Sequence, residues 1–193
     1  RIRVEVIGNR SFDLDFFQLV GTALLKRKRL AINYFSRSKN KISDREISPQ
    51  RMIYYKGNWY LDAWCHLTKE IRTFALDCIK KAEMLDKKSS EIKDANLDKY
   101  LSSGYGIFSG KKLEWVTLKF TPQRAKWVST EKWHPKQVGT FLEDGSYELK
   151  FPYSKDTELI MDIMKYGADV KVEAPKYLKD KIHQILIEAV RNY

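Results

Sequence analysis

Cysteine is scarce in this chain of 193 residues, and so is histidine: only Cys65 and Cys78 occur, with His66, His134 and His183. No CxxC pair and no histidine cluster at ligand spacing exists, which excludes a disulfide framework and a zinc site and leads us to expect no metal and no cofactor. No apolar run approaches the eighteen or so residues a membrane helix needs, and residues 1–9 lack the apolar stretch of a signal peptide. A cytoplasmic chain with no membrane contact is expected. Tandem repeats and low-complexity tracts are also lacking. Acidic residues are in short supply, 25 Asp and Glu against 36 Lys and Arg, for a net charge of +11. A surplus of that size points to an anionic partner and is silent about fold.

What is present suits a globular protein. Hydrophobic residues make up 43% and aromatic ones 13%, enough to bury real cores in one long or two small domains. The cationic surplus is uneven. Residues 1–88 hold 19 Lys and Arg against 10 Asp and Glu, a net +9, while residues 89–193 hold 17 against 15, a net +2.

Hydrophobic periodicity divides the chain further. Residues 1–7, RIRVEVI, alternate and predict the end of a connector strand over 1–10. Residues 11–29 place Phe16, Phe17, Val20, Ala23 and Leu24 at helical spacing behind a cap at Ser11 or Asp13. The KRKR run at 26–29 suits that helix's C-terminus, although such a run is ordinarily a solvated helix end. From Leu30 to Met84 short β-like runs (LAINYFS, REISPQRMIYY, NWYLDAWCHL and IRTFALDCIKKAEML) alternate with polar turns at 37–44, 56–58 and 68–70. Such spacing predicts a small antiparallel barrel. Residues 87–112 read as a polar linker with a short helix at 94–102. Beyond it the predicted order is a strand (113–120), a helix (121–130, with Thr121 as cap and Pro122 at its first position), two strands (132–142 and 146–153), a helix closed by Gly167, a strand and a last helix. That is the βαββαβ order of a ferredoxin-like domain over 113–193. The fold class is therefore α+β, a small Sm/SH3-like barrel with a preceding helix followed by a ferredoxin-like unit.

The densest chemistry lies in GNWYLDAWCHLTKEIRTFALD at 57–77. On a strand Trp59, Leu61, Ala63 and Cys65 share a core face, while Tyr60, Asp62, Trp64 and His66 share an amphipathic one with ring bodies and polar tips. Arg72 on the returning strand carries a fork that grips phosphate or carboxylate. If it lies beside the Tyr60 face, the two strands make an anion site walled by rings. Strand aromatics ordinarily pack, and a lone His66 is ordinarily a satisfied edge residue. Catalysis would need Asp62, Asp77 or His66, which stand in no motif, so no catalytic residue is assigned.

The string from Pro49 to Ile79, with its Gly-x-Trp-Tyr-Leu turn and strand and its Arg-x-Phe-x-x-Asp-x-Ile strand, resembles the signature of the WYL domain. Tyr34 in INYFS matches a tyrosine of that family's first barrel strand, and Trp59, Tyr60 and Leu61 are the triplet that names it. KWHPKQ (132–137) and MKYGADVKVEAP (164–175) resemble its companion C-terminal extension, the WCX domain. The family often carries Arg where this chain has Cys78, so one ligand-binding cation is absent.

WYL proteins are mostly bacterial transcription regulators with an N-terminal winged helix-turn-helix, so the resemblance implies a ligand-sensing and dimerisation half over 11–86 and 113–193. The effector class it implies is single-stranded DNA or a nucleotide. The chain begins at Arg1, which fits an upstream half that reads promoter DNA, and the alternating 1–7 strand offers an edge for a homodimer. Interleaved cations and rings are what single-strand binders use. Tyr34, Tyr54, Tyr60 and Trp64 are the expected stacking residues beside Trp59. Arg37, Arg51, Arg72 and Lys56 are the expected phosphate contacts, and Ser36 and His66 the orienting hydrogen-bonders. The alternatives are a nucleic-acid-processing enzyme subunit and a ligand-free dimerisation scaffold.

Overall fold

The structure, a computed structural model, describes residues 13–93, 97, 105–106 and 113–192. The chain divides into two compact units, Arg1–Asp94 and Ala95–Tyr193. The strand expected at 1–7, with the dimer edge it would offer, and the helix expected at 94–102 lie outside the described residues.

In the first unit, helix α1 (Leu14–Leu25) starts where Asp13 accepts the Asp15 N–H at 2.8 Å, and it buries Val20 and Ala23. It stops before the cationic run. Lys26 caps it, Arg27 turns the chain at φ +52°, and Lys28 and Arg29 already belong to strand β1 (Lys28–Ser36). The first two residues of the run thus close the helix as expected, while the last two open the next strand. These last two are drawn to carboxylates, Lys28 to Asp86 at 2.5 Å and Arg29 to Glu46 at 2.8 Å.

Strands β1, β2 (Lys41–Tyr55), β3 (Asn58–Cys65), β4 (Glu70–Ala75) and β5 (Ile79–Lys88) form one antiparallel sheet in the order β4-β3-β2-β1-β5. β2 is long enough to pair with β1 along its first half and β3 along its second. A register slip between Pro49 and Arg51 bends it between the two, at a proline that has no N–H to give the ladder. The run from Ile71 to Met84, read as one strand, is broken by a 3-10 turn at Leu76–Cys78, after which β5 crosses back to β1 with Tyr34 opposite Ile79. The sheet curls into a small Sm/SH3-like barrel. Its core joins Leu30, Ile32, Ile47, Leu61, Ala63, Cys65, Phe74 and Ile79 to Val20 and Ala23 of the helix.

The second unit runs β6 (Glu114–Phe120), α2 (Pro122–Val128), β7 (Val138–Phe141), β8 (Tyr147–Tyr153), α3 (Asp156–Met164), β9 (Val170–Ala174) and α4 (Lys176–Val190). Its sheet order β7-β8-β6-β9, antiparallel throughout, is the ferredoxin-like arrangement. Thr121 caps α2 and Pro122 opens it, as the sequence predicts. The strand expected over 132–142 shortens to β7. Gln137 folds the preceding residues into a loop by accepting the N–H groups of Trp133 (2.6 Å) and His134 (3.0 Å) and donating to the Glu131 carbonyl. Phe120, Phe151, Leu118, Leu149 and Tyr153 fill the core beneath the helices.

Candidate nucleic-acid interface

The residues expected to bind a ligand are distributed over several places on the barrel. At the β1 end, Tyr34 points inward: its ring meets Phe74 edge-on at 5.0 Å and its hydroxyl accepts the Ala75 N–H at 3.3 Å. Burial first, then the neighbouring Cys78 thiol, pushes the phenol up to about 12. Tyr34 therefore ties β1 to the turn that closes the barrel. Three residues on, Arg37 opens a 3-10 turn (Arg37–Lys39) and meets Asp77 at 2.5 Å. Asp77 is 7% exposed and Arg37 49%, so the acid anchors a guanidinium that still faces solvent. The Ser36 and Ser38 hydroxyls lie 3.4 Å apart beside it.

Around this anchor the surface is cationic. Lys39, Lys41, Lys80 and Lys81 are all exposed. Lys80 is the extra residue where β5 slips register between Ile79 and Lys81, and its ammonium lies 6.0 Å from the centre of the Phe35 ring. Phe35 pairs with Ile42, itself 52% exposed. Sequence reasoning missed Phe35, Lys39, Lys41, Lys80 and Lys81. The signal was the alternation in β1, which turns Leu30, Ile32 and Tyr34 inward and leaves Ala31, Asn33 and Phe35 outward.

The other candidates are engaged elsewhere. Arg51, Asp62 and Thr73 stand opposite one another on one rung across β2, β3 and β4. The Thr73 hydroxyl donates to Asp62 at 2.6 Å, and Arg51 stands 3.7 Å away. Tyr60, on the same face, is 5% exposed and Asp62 fully buried, so the face expected to be half wet is covered at these positions, and only Trp64 and His66 keep part of their surface. Ser48 receives the Ser90 N–H at 2.9 Å and lies 2.9 Å from His66 Nε2. Burial, then Arg29, lowers the His66 pKa. Ser48 thus links His66 to the Ser90 N–H. Trp59 packs between Phe17 of α1 at 5.0 Å and half-exposed Tyr54 at 5.1 Å, and the Lys56 ammonium lies 5.4 Å from the Tyr55 ring.

Arg72 stands opposite Ala63, on the face away from Tyr60, where Thr68 (3.0 Å) and Glu70 (2.9 Å) accept from its Nε. The ring-walled anion site of Arg72 and Tyr60 is thus not formed: the antiparallel register sets the two on opposite faces of the sheet. Asp62, Asp77 and His66 each serve a different partner. Among the described residues no group of three His, Cys, Asp or Glu is placed to hold a metal.

The buried carboxylate leads to a test of stability against pH. Burial raises the Asp62 pKa, opposed by Thr73 and Arg51, so folding takes up a proton between the ordinary aspartate value, about 4, and the raised one. Wild-type stability is fully present below that window and falls as pH rises through it. Asp62→Asn keeps an acceptor for Thr73 and has no charge to desolvate. Its melting temperature should exceed the wild type's by a margin that widens above about pH 4 and then levels off. Thermal melts across that range check this, and a margin independent of pH would contradict it.

A helix-capped small barrel and a ferredoxin-like unit with an added helix define a two-module α+β protein with a cationic exposed surface beside the barrel's β1–β2 hairpin. Residues 15–84 match the WYL domain and residues 112–190 the WCX domain. The chain carries a WYL domain followed by a WCX domain. It is similar to Protein PafC of Mycobacterium tuberculosis (26% identical, covering 90% of this chain and 54% of that protein) and of Mycobacterium leprae (24%, 90% and 52%). It thus spans about half the length of these curated relatives. A crystal structure of a CRISPR Cas-related protein shares the fold at TM-score 0.57 and 13% identity, covering 93% of this chain and 51% of that one. No helix among the described residues is long and apolar enough to cross a membrane.

Proposed function

We propose that this chain is the effector-sensing part of a cytoplasmic transcription regulator, with short single-stranded DNA or a nucleotide as the effector. Promoter DNA would be read by a further domain outside residues 1–193. The observation that carries the reading is the barrel rim: Arg37, held outward by Asp77, beside exposed Lys39, Lys41, Lys80 and Lys81 and the ring of Phe35. Cations that follow a phosphate backbone, next to an apolar ring on which a base can rest, are the elements of single-strand recognition. The net +9 of residues 1–88 supports an anionic effector at this unit. The WYL domain, whose proteins are mostly bacterial regulators, supports the role.

Binding of a labelled oligothymidylate, followed by fluorescence anisotropy, tests the reading. Arg37→Ala should weaken binding by about 1.5–3 kcal/mol, as expected for one charge-assisted contact, while Arg72→Ala, on the other side of the barrel wall, should leave it unchanged. Wild-type affinity in Arg37→Ala, or an equal loss in Arg72→Ala, would remove the rim as the site.

A further inference from the structure

A second group of rings and cations, in the ferredoxin-like unit, plays no part in the reading above. Four segments contribute to it: α2, the loop at 131–134, the end of α3 and the turn before β9. Trp127 is 55% exposed, although it sits on a helix whose Ala125 and Val128 are fully buried. The Arg124 guanidinium lies 5.7 Å from the Trp127 ring and 5.8 Å from the Tyr166 ring. It is fixed there by Asp169, which accepts from its Nη2 at 2.8 Å and its Nε at 3.1 Å and is itself held by Thr121 at 2.9 Å. Tyr166 stacks on Trp133 at 5.7 Å with 28° between the ring planes. The Lys165 ammonium lies 5.0 Å from the Tyr166 ring and 5.5 Å from that of Trp133. Glu131 accepts from the Trp133 indole (2.8 Å) and the Tyr166 hydroxyl (3.0 Å), fixing both ring planes.

We infer that this array of Trp127, Arg124, Tyr166, Lys165 and Trp133 is a binding platform for single-stranded nucleic acid, separate from the barrel rim. Three observations carry it. Exposed Trp127 offers an incoming base a π-face beside the Arg124 charge, backed by Tyr166 and Trp133, which pack on the core through Phe120 and Phe151. The polar partners Asp169 and Glu131 fix the array before any ligand arrives, so little order is lost on binding. The local charge is cationic: over residues 121–137 and 162–169, Arg124, Lys126, Lys132, Lys136 and Lys165 outnumber Glu131, Asp162 and Asp169 by two, with Lys165 3.6 Å from Asp162. A role confined to bracing α2 would not require Trp127 to stand more than half exposed on the far side of Arg124. An acidic peptide would use the cations but has no flat faces for the rings, and a duplex keeps its bases stacked inside. Unpaired bases fit both features.

The test uses the whole chain and a short oligothymidylate carrying bromodeoxyuridine. Irradiation should cross-link the strand to peptides containing Trp127, Trp133 or Tyr166. In the Arg37→Ala background, where the rim is weakened, Trp127→Ala should weaken the remaining binding about tenfold, the scale of one stacked base, and Trp127→Phe should recover most of the loss. Because Trp127 is exposed, its replacement leaves the core intact, which circular dichroism checks. Cross-links confined to residues 28–88, unchanged affinity on adding Trp127→Ala to Arg37→Ala, or displacement by polyglutamate or a hairpin duplex as readily as by a single strand would each overturn the platform. The rim is read independently through Arg37→Ala, so either site can fail without the other.

Discussion

Leu61→Ala is expected to lower the unfolding free energy of the barrel by about 2–5 kcal/mol, the range for emptying a leucine-sized space in a close-packed core. Leu61 is fully buried, with Met52 and Phe74 opposite it on the two neighbouring strands. It belongs to a cluster with the helix residues Val20 and Ala23, so the void opens between the sheet and the helix that covers it. The cluster around Phe120 and Phe151 contains none of these residues. Calorimetry should therefore show a low-temperature shift of one transition in Leu61→Ala, and of the other in Leu118→Ala. The two effects should add in the double variant, as they do for distant sites with no shared partners. A single transition that moves as a whole in both variants would mean that the two units unfold as one body.

Much of this architecture was legible from residues alone. The alternation in β1, a cap for α1 at Ser11 or Asp13, the Thr121-Pro122 start of α2 and the βαββαβ order each state a local rule that the fold obeys. Three features were not legible, and each depends on contacts distant in sequence. Strand alternation separates two faces but does not say what covers them, so Tyr60 and Asp62 read as a wet face although both are buried. The register of β4 against β3 sets Arg72 opposite Ala63, a choice made by the turn and the core together. The turn at Leu76–Cys78 carries no glycine or proline to announce it, so β4 and β5 read as one strand. The candidate rim escaped notice for a related reason: Lys80 reaches Phe35 only because β5 slips register.

The central claim is that the cations of the barrel rim follow the backbone of a single strand. Replacing Arg37, Lys39, Lys41 and Lys80 together by glutamine removes four charges without touching the core. Affinity for a short oligothymidylate should fall by at least about a hundredfold, since each hydrogen bond to a charged group contributes roughly 1.5–3 kcal/mol. Loss of affinity alone would not separate backbone contact from general damage to the barrel, whereas the dependence on salt does. For a single strand, the slope of log affinity against log salt is about −0.7 per neutralised phosphate. The deciding measurement is that slope, taken for the wild type and the fourfold variant over the same salt range. The account predicts a steep wild-type slope that becomes shallower in the variant by about 0.7 for each cation in contact, up to roughly 3 in all. Equal slopes in the two proteins, or a wild-type affinity indifferent to salt, would contradict it.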